Sequence, residues 1–165
     1  MDALSTKAIL FLTARGFEAT PLPYEFVMRG GTRDAARKLG VSEHQVVKSL
    51  VFDNGMQEDS FKAVMALMHG DERVSMHKLE RLAGIRHLAP SSPETALSVT
   101  GYMPGGICPF CLRTEIPVIM QQSLAGEEFL YINAGLRGLV ARIRPSALLL
   151  VHPLAGDIRS ESPRP

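Results

Sequence analysis

One apolar run in the first third of the chain most constrains its fold. Residues 46–52 read Val-Val-Lys-Ser-Leu-Val-Phe and are rich in β-branched residues, and Asp53-Asn54-Gly55 follows as a turn. Residues 61–68 form a second apolar run of similar length. The sequence therefore predicts an antiparallel pair of buried strands, which needs further layers of structure to cover it.

Helix signals surround this pair. Ser92-Pro93-Glu94 combines an N-cap serine, a proline at the first helical position and an acid in the first turn, so a helix is predicted to begin there and to end at Gly101. Further elements are predicted as helices at 5–15, 32–39 (with Thr32 as N-cap), 75–83 and 145–151, and as short strands at 85–88, 117–120, 129–133 and 139–143.

The order of these elements indicates the fold class. Strands and helices do not alternate in regular β–α–β units, which favours an α+β protein with a mixed or closed sheet. A chain of 165 residues is long enough for one domain with its own core. We predict a single domain over residues 1–152 and a flexible tail over 153–165, where Ser, Pro and charged residues dominate the end.

Composition limits the function classes. The formal net charge is +1, which excludes a surface that binds polyanions by overall charge. Two local basic clusters occur, for which solvated helix faces are the favoured interpretation: Arg29, Arg33, Arg37 and Lys38, and Arg73, Lys78, Arg81 and Arg86. Neither a membrane-spanning run nor a signal peptide is recognisable, and there are only two cysteines, so we expect a cytoplasmic protein without a membrane segment.

Lys48 is the one charged residue within the first predicted strand. Alternation places it on the same face as Val46 and Leu50, where an ammonium without a partner is costly. It either extends to an edge of the sheet or serves as an oriented cation that lines a cavity. The residue pattern leaves both interpretations open and slightly favours the first.

The loop Gly101–Pro109 contains three glycines and two prolines in nine residues. Gly105 and Gly106 can adopt backbone angles closed to other residues, and their N–H groups can approach a ligand carbonyl. A simple irregular turn is the alternative. The loop lacks the spacing of a phosphate-binding glycine motif.

Cys108 and Cys111 form a C-x-x-C within this loop. Two thiols supply only half of a structural zinc site, and the five histidines show no ligand spacing. The motif lies in a proline-rich loop and does not open a helix, as a redox motif would. We predict no metal and no cofactor, and keep a thiol redox or zinc protein as a minor alternative.

Six short motifs occur in a fixed order: Leu22-Pro23-Tyr24, residues 35–41 (AARKLGV), 45–51 (QVVKSLV), 100–109 (TGYMPGGICP), 116–119 (IPVI) and 135–138 (GLRG). Together they resemble the YbaK/EbsC family of aminoacyl-tRNA deacylases, which is related to the editing domain inserted in bacterial prolyl-tRNA synthetases. The resemblance covers residues 4 to 150 approximately. It implies a mixed, barrel-like β-sheet flanked by helices.

The resemblance also implies an activity, namely hydrolysis of the ester between an amino acid and the tRNA 3′ end, without a metal, a cofactor or a protein nucleophile. The expected protein is a free-standing enzyme that edits misacylated tRNA in trans, with Cys-tRNA(Pro) or a tRNA charged with a related small amino acid as substrate. Misacylated tRNA and prolyl-tRNA synthetase are the expected partners. A non-catalytic module that binds aminoacyl groups is the alternative.

The site residues implied by the resemblance are Lys48, Gly105 and Gly106 for catalysis, and Tyr24, Tyr102 and Pro104 for substrate binding. Two positions depart from the family pattern. Cys111 stands where a glycine is usual, and Gln121 where an aspartate is frequent. Both departures are expected to affect the shape of the pocket.

Overall fold

Eight strands and four α-helices form the regular structure of residues 4–162, the part of the chain that this computed structural model describes. The helices are α1 (Lys7–Ala14), α2 (Gly31–Leu39), α3 (Met76–Ala83) and α4 (Pro93–Thr100). The strands are β1 (Thr20–Pro23), β2 (Val46–Asp53), β3 (Ala63–His69), β4 (Ala89–Pro90), β5 (Val118–Gln121), β6 (Leu130–Asn133), β7 (Leu139–Ile143) and β8 (Leu154–Gly156). Among these residues no helix is long and apolar enough to cross a membrane.

All eight strands belong to one mixed sheet. Its order is β1-β7-β6-β2-β3-β5-β8, and β4 pairs with β2 beside this path. The pairs β6–β2, β3–β5 and β5–β8 are parallel, and the others are antiparallel. The predicted α+β class with a mixed sheet flanked by helices is confirmed. Over residues 4–162, β1 and β8 stay unpaired with each other, so strand pairing does not close the barrel into a ring.

The predicted strand pair forms the centre of the sheet. β2 and β3 are antiparallel in continuous register from Val47↔His69 to Asp53↔Ala63, and every residue of β3 is buried. Alternation divides β3 between two cores. Met65 and Leu67 belong to the larger core with α1 and the loop after α4, whereas Met68 and its same-face neighbours belong to a smaller core under α3.

The helix predicted from Ser92 is confirmed at both ends. The Ser92 side chain accepts a hydrogen bond from the Thr95 N–H at 3.1 Å, and Gly101 ends α4 with a φ of 81°. This left-handed glycine directs the chain into the loop that precedes β5.

Two element predictions were wrong. Gly30, not Thr32, is the N-cap of α2, since the Thr32 hydroxyl lies within hydrogen-bond distance of the Gly70 carbonyl (3.1 Å) and a Glu43 carboxylate oxygen (2.9 Å). The strand predicted at 85–88 is instead β4, four residues later, because its pairing with the end of β2 decides its position. Residues 145–151 form a 3-10 helix.

The flexible tail predicted for 153–165 is wrong for residues 154–158. β8 extends the sheet beside β5, and Ile158 is fully buried in the smaller core. The Ile158 N–H donates a hydrogen bond to the side-chain oxygen of Gln121 at 2.8 Å. One apolar side chain thus anchors a segment whose composition indicates flexibility. Residues 163–165 lie outside the described residues.

Candidate active site

A cavity of about 360 Å³ lies between β2, the N-terminal part of α2 and the glycine-rich loop after α4. Its wall is largely apolar, with Phe26, Val46, Leu50 and Val140 among the lining residues. A mostly apolar pocket with a few polar groups is the usual form of a small-molecule site. Four of the six predicted site residues line it: Lys48, Gly105, Tyr24 and Pro104.

Lys48 reaches this cavity from the middle of β2. Its ammonium donates a short hydrogen bond to the backbone carbonyl of Glu72, on the segment that follows β3. That bond holds the side chain in one direction while the residue remains partly exposed. The structure therefore favours the second interpretation of this lysine, an oriented cation in a cavity wall.

Gly105 also lines this cavity, with a φ of +93°, a conformation that residues other than glycine rarely adopt. A Cβ at this position would come within 2.8 Å of the Phe26 ring and 3.3 Å of the Arg137 side chain. The Arg137 Nε donates to the Pro104 carbonyl at 2.7 Å, which fixes the loop. No group among residues 4–162 accepts a hydrogen bond from the Gly105 N–H, so a ligand can use this donor.

Gly106 does not line the cavity. Its N–H donates to the Met103 carbonyl at 2.9 Å, and its own carbonyl accepts from the Gly135 N–H at 3.1 Å. Both backbone groups are therefore used within the loop. The predicted pair of carbonyl-binding amides is reduced to one, that of Gly105.

Tyr102 lies beneath the loop and outside the cavity wall. It is 3% exposed, and its hydroxyl donates a short hydrogen bond to the Phe110 carbonyl. Burial raises the pKa of this phenol above its ordinary value. Gly135 packs against the ring, since a Cβ there would lie 3.0 Å from it. The structure thus places Tyr102 as a support of the loop, away from the predicted substrate position.

Removal of the Tyr102 hydroxyl should lower the stability of the protein. In Tyr102→Phe the Phe110 carbonyl loses its hydroxyl donor and keeps the weaker Cys108 thiol, whose sulfur lies 3.8 Å away, so we expect the free energy of unfolding to fall by about 1–3 kcal/mol. Urea denaturation measures the difference. Tyr131→Phe is the matched control, because the Tyr131 hydroxyl makes no hydrogen bond within the described part of the chain. Equal stability of the two variants would contradict a supporting role.

Tyr24 faces the cavity from the end of β1, where its N–H donates to the Gly138 carbonyl at 2.8 Å. Burial, and then the negative charge of Asp34, raise the pKa of the Tyr24 phenol. The hydroxyl therefore remains protonated at neutral pH, and it can donate a hydrogen bond to a ligand in the cavity.

The first basic cluster divides in the structure. Arg37 and Lys38 both pair with Asp34, at 2.8 and 2.9 Å, and Asp34 itself lines the cavity. Arg29 and Arg137 line the cavity as well. The favoured interpretation of a solvated helix face thus fits Arg37, which is largely exposed, while Arg29 and Arg137 add positive charge to a cavity wall that also holds Asp34.

The two departures from the family pattern lie away from the cavity. Cys111 has a φ of 58°, so the left-handed backbone that suits a glycine is present at this position without one. Gln121 is 4% exposed and bonds to Ile158. Neither residue lines the cavity, so the expectation that they reshape it receives no support from the structure.

Cys108 and Cys111 differ in their surroundings. Burial raises the pKa of the Cys108 thiol to about 11, whereas Cys111 is only partly buried. At pH 8 Cys108 is therefore a protonated and enclosed thiol. We expect iodoacetamide to label Cys111 alone in the native protein and both thiols in denaturant, as counted by mass spectrometry. Equally fast labelling of both in the native protein would revive the thiol redox alternative.

Sequence reasoning missed a histidine pair at the far end of the β2–β3 pair. The rings of His44 and His69 stack at 3.7 Å, and one ligand atom from each and one from Glu127 lie within 4.8 Å of one another. An Asp71 carboxylate oxygen lies 2.9 Å from the His44 Nδ1 and accepts a hydrogen bond when that nitrogen carries the proton. These residues could hold a divalent cation, but the nearly parallel rings would have to turn first. The predicted antiparallel pairing of residues 46–52 with 61–68 could have indicated this pair of histidines, because a register of Val47↔His69 places His44 and His69 at the same end of the two strands.

The chain is similar to several known proteins. A family model described as an aminoacyl-tRNA editing domain matches residues 30–149. The chain is 23% identical, over 69% of its length and 67% of the other's, to the Enterococcus faecalis protein named "Putative Cys-tRNA(Pro)/Cys-tRNA(Cys) deacylase EbsC". It is 30% identical over 93 residues to the proline–tRNA ligase of Limosilactobacillus fermentum. That match covers 56% of this chain and 16% of the ligase, so the chain spans about a sixth of the ligase's length.

A solved structure shares the fold. It is the crystal structure of "a putative trans-editing enzyme for prolyl tRNA synthetase", with a TM-score of 0.77 and 24% identity over 93% of this chain and 92% of the other.

Proposed function

Because this chain belongs to the aminoacyl-tRNA editing domain family, we propose that it hydrolyses, in trans, the ester that joins an amino acid to the 3′ end of a misacylated tRNA. One observation carries the proposal. An oriented ammonium, Lys48, and the Gly105 N–H, a donor without a partner among residues 4–162, line the same cavity. The function thus rests on a site that offers positive charge and a hydrogen bond to one small ligand.

The chemistry fits an ester that is already activated. A nucleophile adds to the ester carbonyl, negative charge develops on its oxygen, and the bond to the ribose oxygen then breaks as that oxygen takes a proton. Donors placed where this charge develops supply the acceleration. The Gly105 N–H would bind the oxygen and the Lys48 ammonium would stabilise the charge, while water acts as nucleophile and gives up the proton that the ribose oxygen takes. A substrate thiol in this role would release a cyclic thioester that water then opens, and the neighbouring ribose hydroxyl would act by orienting the water.

The proposed substrate is Cys-tRNA(Pro) or a tRNA(Pro) charged with another small amino acid. A cavity of about 360 Å³ has to accept the aminoacyl group together with part of the terminal ribose, which leaves little room for a large side chain. The name of the Enterococcus relative supports the same substrate class. The apolar wall around Val46 and Leu50 suits a small, weakly polar side chain.

A deacylation panel tests the function. Cys-, Ala-, Ser- and Pro-tRNA(Pro) are incubated with catalytic amounts of the protein, and the remaining ester is measured against its spontaneous hydrolysis. We expect acceleration for at least one small noncognate amino acid, and none for Pro-tRNA(Pro). If no ester is hydrolysed faster than without protein, the binding-module alternative replaces the proposed enzyme.

Prolyl-tRNA synthetase is the proposed partner, in the cytoplasm where charged tRNA is used. A net charge of +1 gives little general attraction for RNA, so a complex with a synthetase would supply affinity for the tRNA body. We expect the tagged protein to retain prolyl-tRNA synthetase at low salt. Absence of the synthetase from such a pull-down, with tRNA present, would contradict the partnership.

A further inference from the structure

The middle of β2 has an edge without a strand partner. One side of the strand pairs with β3 along its length. On the other side the last pair with β6 is Val47↔Ile132, and pairing with β4 begins only at Phe52↔Pro90. Among residues 4–162, no strand lies against this side of Ser49.

Hydrogen bonds at the two ends of β2 show which backbone groups face this gap. The Gly70 N–H donates to the Val46 carbonyl at 2.7 Å, from the β3 side. The Ser91 N–H donates to the Val51 carbonyl at 3.0 Å, from the opposite side. Because successive residues of a strand direct their backbone groups to opposite edges, Ser49 directs its N–H and its carbonyl into the gap.

The chain after β6 leaves the gap open. Gly135 has a φ of +93°, and its N–H donates to the Gly106 carbonyl at 3.1 Å, away from β2. The preceding amide, of Ala134, donates to the Leu139 carbonyl at 3.1 Å, on the β7 side. The Gly135 N–H, which would otherwise be able to continue the pairing beside Ser49, is therefore used elsewhere.

The gap opens into the cavity described above, since Ser49 lines it together with Lys48 and Gly105. The Ser49 side chain does not face the gap. Its hydroxyl is buried without a hydrogen-bond partner in the described part of the chain, and alternation places it on the core side with Val47 and Val51. The backbone of Ser49, and not its hydroxyl, is the group that a ligand in the gap would meet.

We propose that the aminoacyl group of the substrate binds in this gap as one added strand residue opposite Ser49. Its α-ammonium donates to the Ser49 carbonyl, and its ester carbonyl oxygen accepts from the Ser49 N–H. This inference rests on the proposed function, since it takes the aminoacyl end of tRNA as the ligand. The Ser49 N–H then joins that of Gly105 as a second donor to the carbonyl oxygen.

This arrangement defines the substrate class by the α-amine and not by the side chain. A hydrogen-bonded pair of antiparallel residues exchanges two bonds, which requires an amine on the carbon next to the carbonyl. Esters of α-amino acids meet this requirement, whereas acyl groups without the amine lose one of the two bonds. Side-chain size is then limited separately, by the apolar part of the cavity.

Binding of stable analogues tests this arrangement independently of turnover. The probes are 3′-(alanylamino)-3′-deoxyadenosine and 3′-(propionylamino)-3′-deoxyadenosine, which differ only in the α-amine and carry an amide in place of the ester. Calorimetry with the full chain should show about tenfold weaker binding of the propionyl analogue, the equivalent of one hydrogen bond. Equal affinities, or no measurable binding of either, overturn the proposal.

Proline at position 49 tests the second bond. Ser49→Pro removes the N–H that faces the gap and leaves the hydrogen bonds to β3 intact. Ser49→Ala keeps this N–H and removes only the hydroxyl. We expect Ser49→Pro to bind the alanyl analogue about tenfold more weakly than Ser49→Ala. Equal affinity of the two folded variants overturns the proposal, and if Ser49→Pro does not fold, the analogue pair measured on Ser49→Ala decides it.

Failure of this inference and failure of the proposed function give different results. The deacylation panel reports only whether esters are hydrolysed. The analogue pair reports only whether the α-amine is recognised. A protein that hydrolyses Ala-tRNA(Pro) but binds the two analogues equally remains a deacylase without the proposed pairing at Ser49.

Discussion

Lys48→Ala is expected to lower kcat/KM for deacylation by about a hundredfold or more, with little change in stability. The ammonium is the positive side-chain group that the middle of β2 contributes to the cavity, and it is directed there by the Glu72 carbonyl. Its loss removes stabilisation of the charge that develops on the ester oxygen. The fold should tolerate the change, since Lys48 is partly exposed and its carbonyl partner can bond to water.

The measurement pairs steady-state deacylation with thermal unfolding. Lys62→Ala is the matched control, because Lys62 is exposed just before β3 and does not line the cavity. This control should retain the wild-type rate. A Lys48→Ala protein that remains folded and fully active would remove Lys48 from the site and weaken the proposed function with it.

Gly105→Ala should also lower kcat/KM for deacylation, because a side chain does not fit at this position. An alanine at a φ of +93° is strained, and its Cβ would lie 2.8 Å from the Phe26 Cε2 atom. The loop then has to shift, which displaces the only amide of the predicted pair that faces the cavity. The expected costs are about a hundredfold in kcat/KM and about 1–3 kcal/mol in stability.

Gly126→Ala is the control for the second prediction. Gly126 has an ordinary φ, and a Cβ there would meet nothing within 4 Å, so the variant should match the wild type in both measurements. If Gly105→Ala folds and hydrolyses ester at the wild-type rate, the N–H of Gly105 does not bind the carbonyl oxygen.

Much of the fold could be predicted from local signals. The β-branched run of β2 and the cap residues of α4 act over a few residues, so their structures follow from the chain alone. The tail was mispredicted because its composition indicates flexibility, whereas Ile158 packs into a core built by distant residues and its N–H bonds to Gln121, 37 residues away. Thr32 likewise resembled a cap, but its hydroxyl lies near the carbonyl of Gly70, 38 residues away.

The candidate site was predicted less completely. The motif resemblance assigned Lys48 and Gly105 to one site, although the two residues are far apart in the sequence. It could not separate Gly105 from Gly106, because this distinction depends on the bond between the Gly106 carbonyl and Gly135. Nor could it show that the Tyr102 hydroxyl reaches the Phe110 carbonyl and leaves the ring below the loop.

The sequence by itself determined the central strand pair, the position of the lysine within it and the glycine-rich loop that faces it, because each depends on neighbouring residues. Only the tertiary structure decided which backbone groups of that loop and of β2 remain available to a ligand. Gly135 turns β6 away from Ser49 and bonds to Gly106, so one long-range contact both opens the gap and occupies the second glycine. The local sequence cannot encode this, since backbone amides are chemically alike and only their partners in the fold distinguish them.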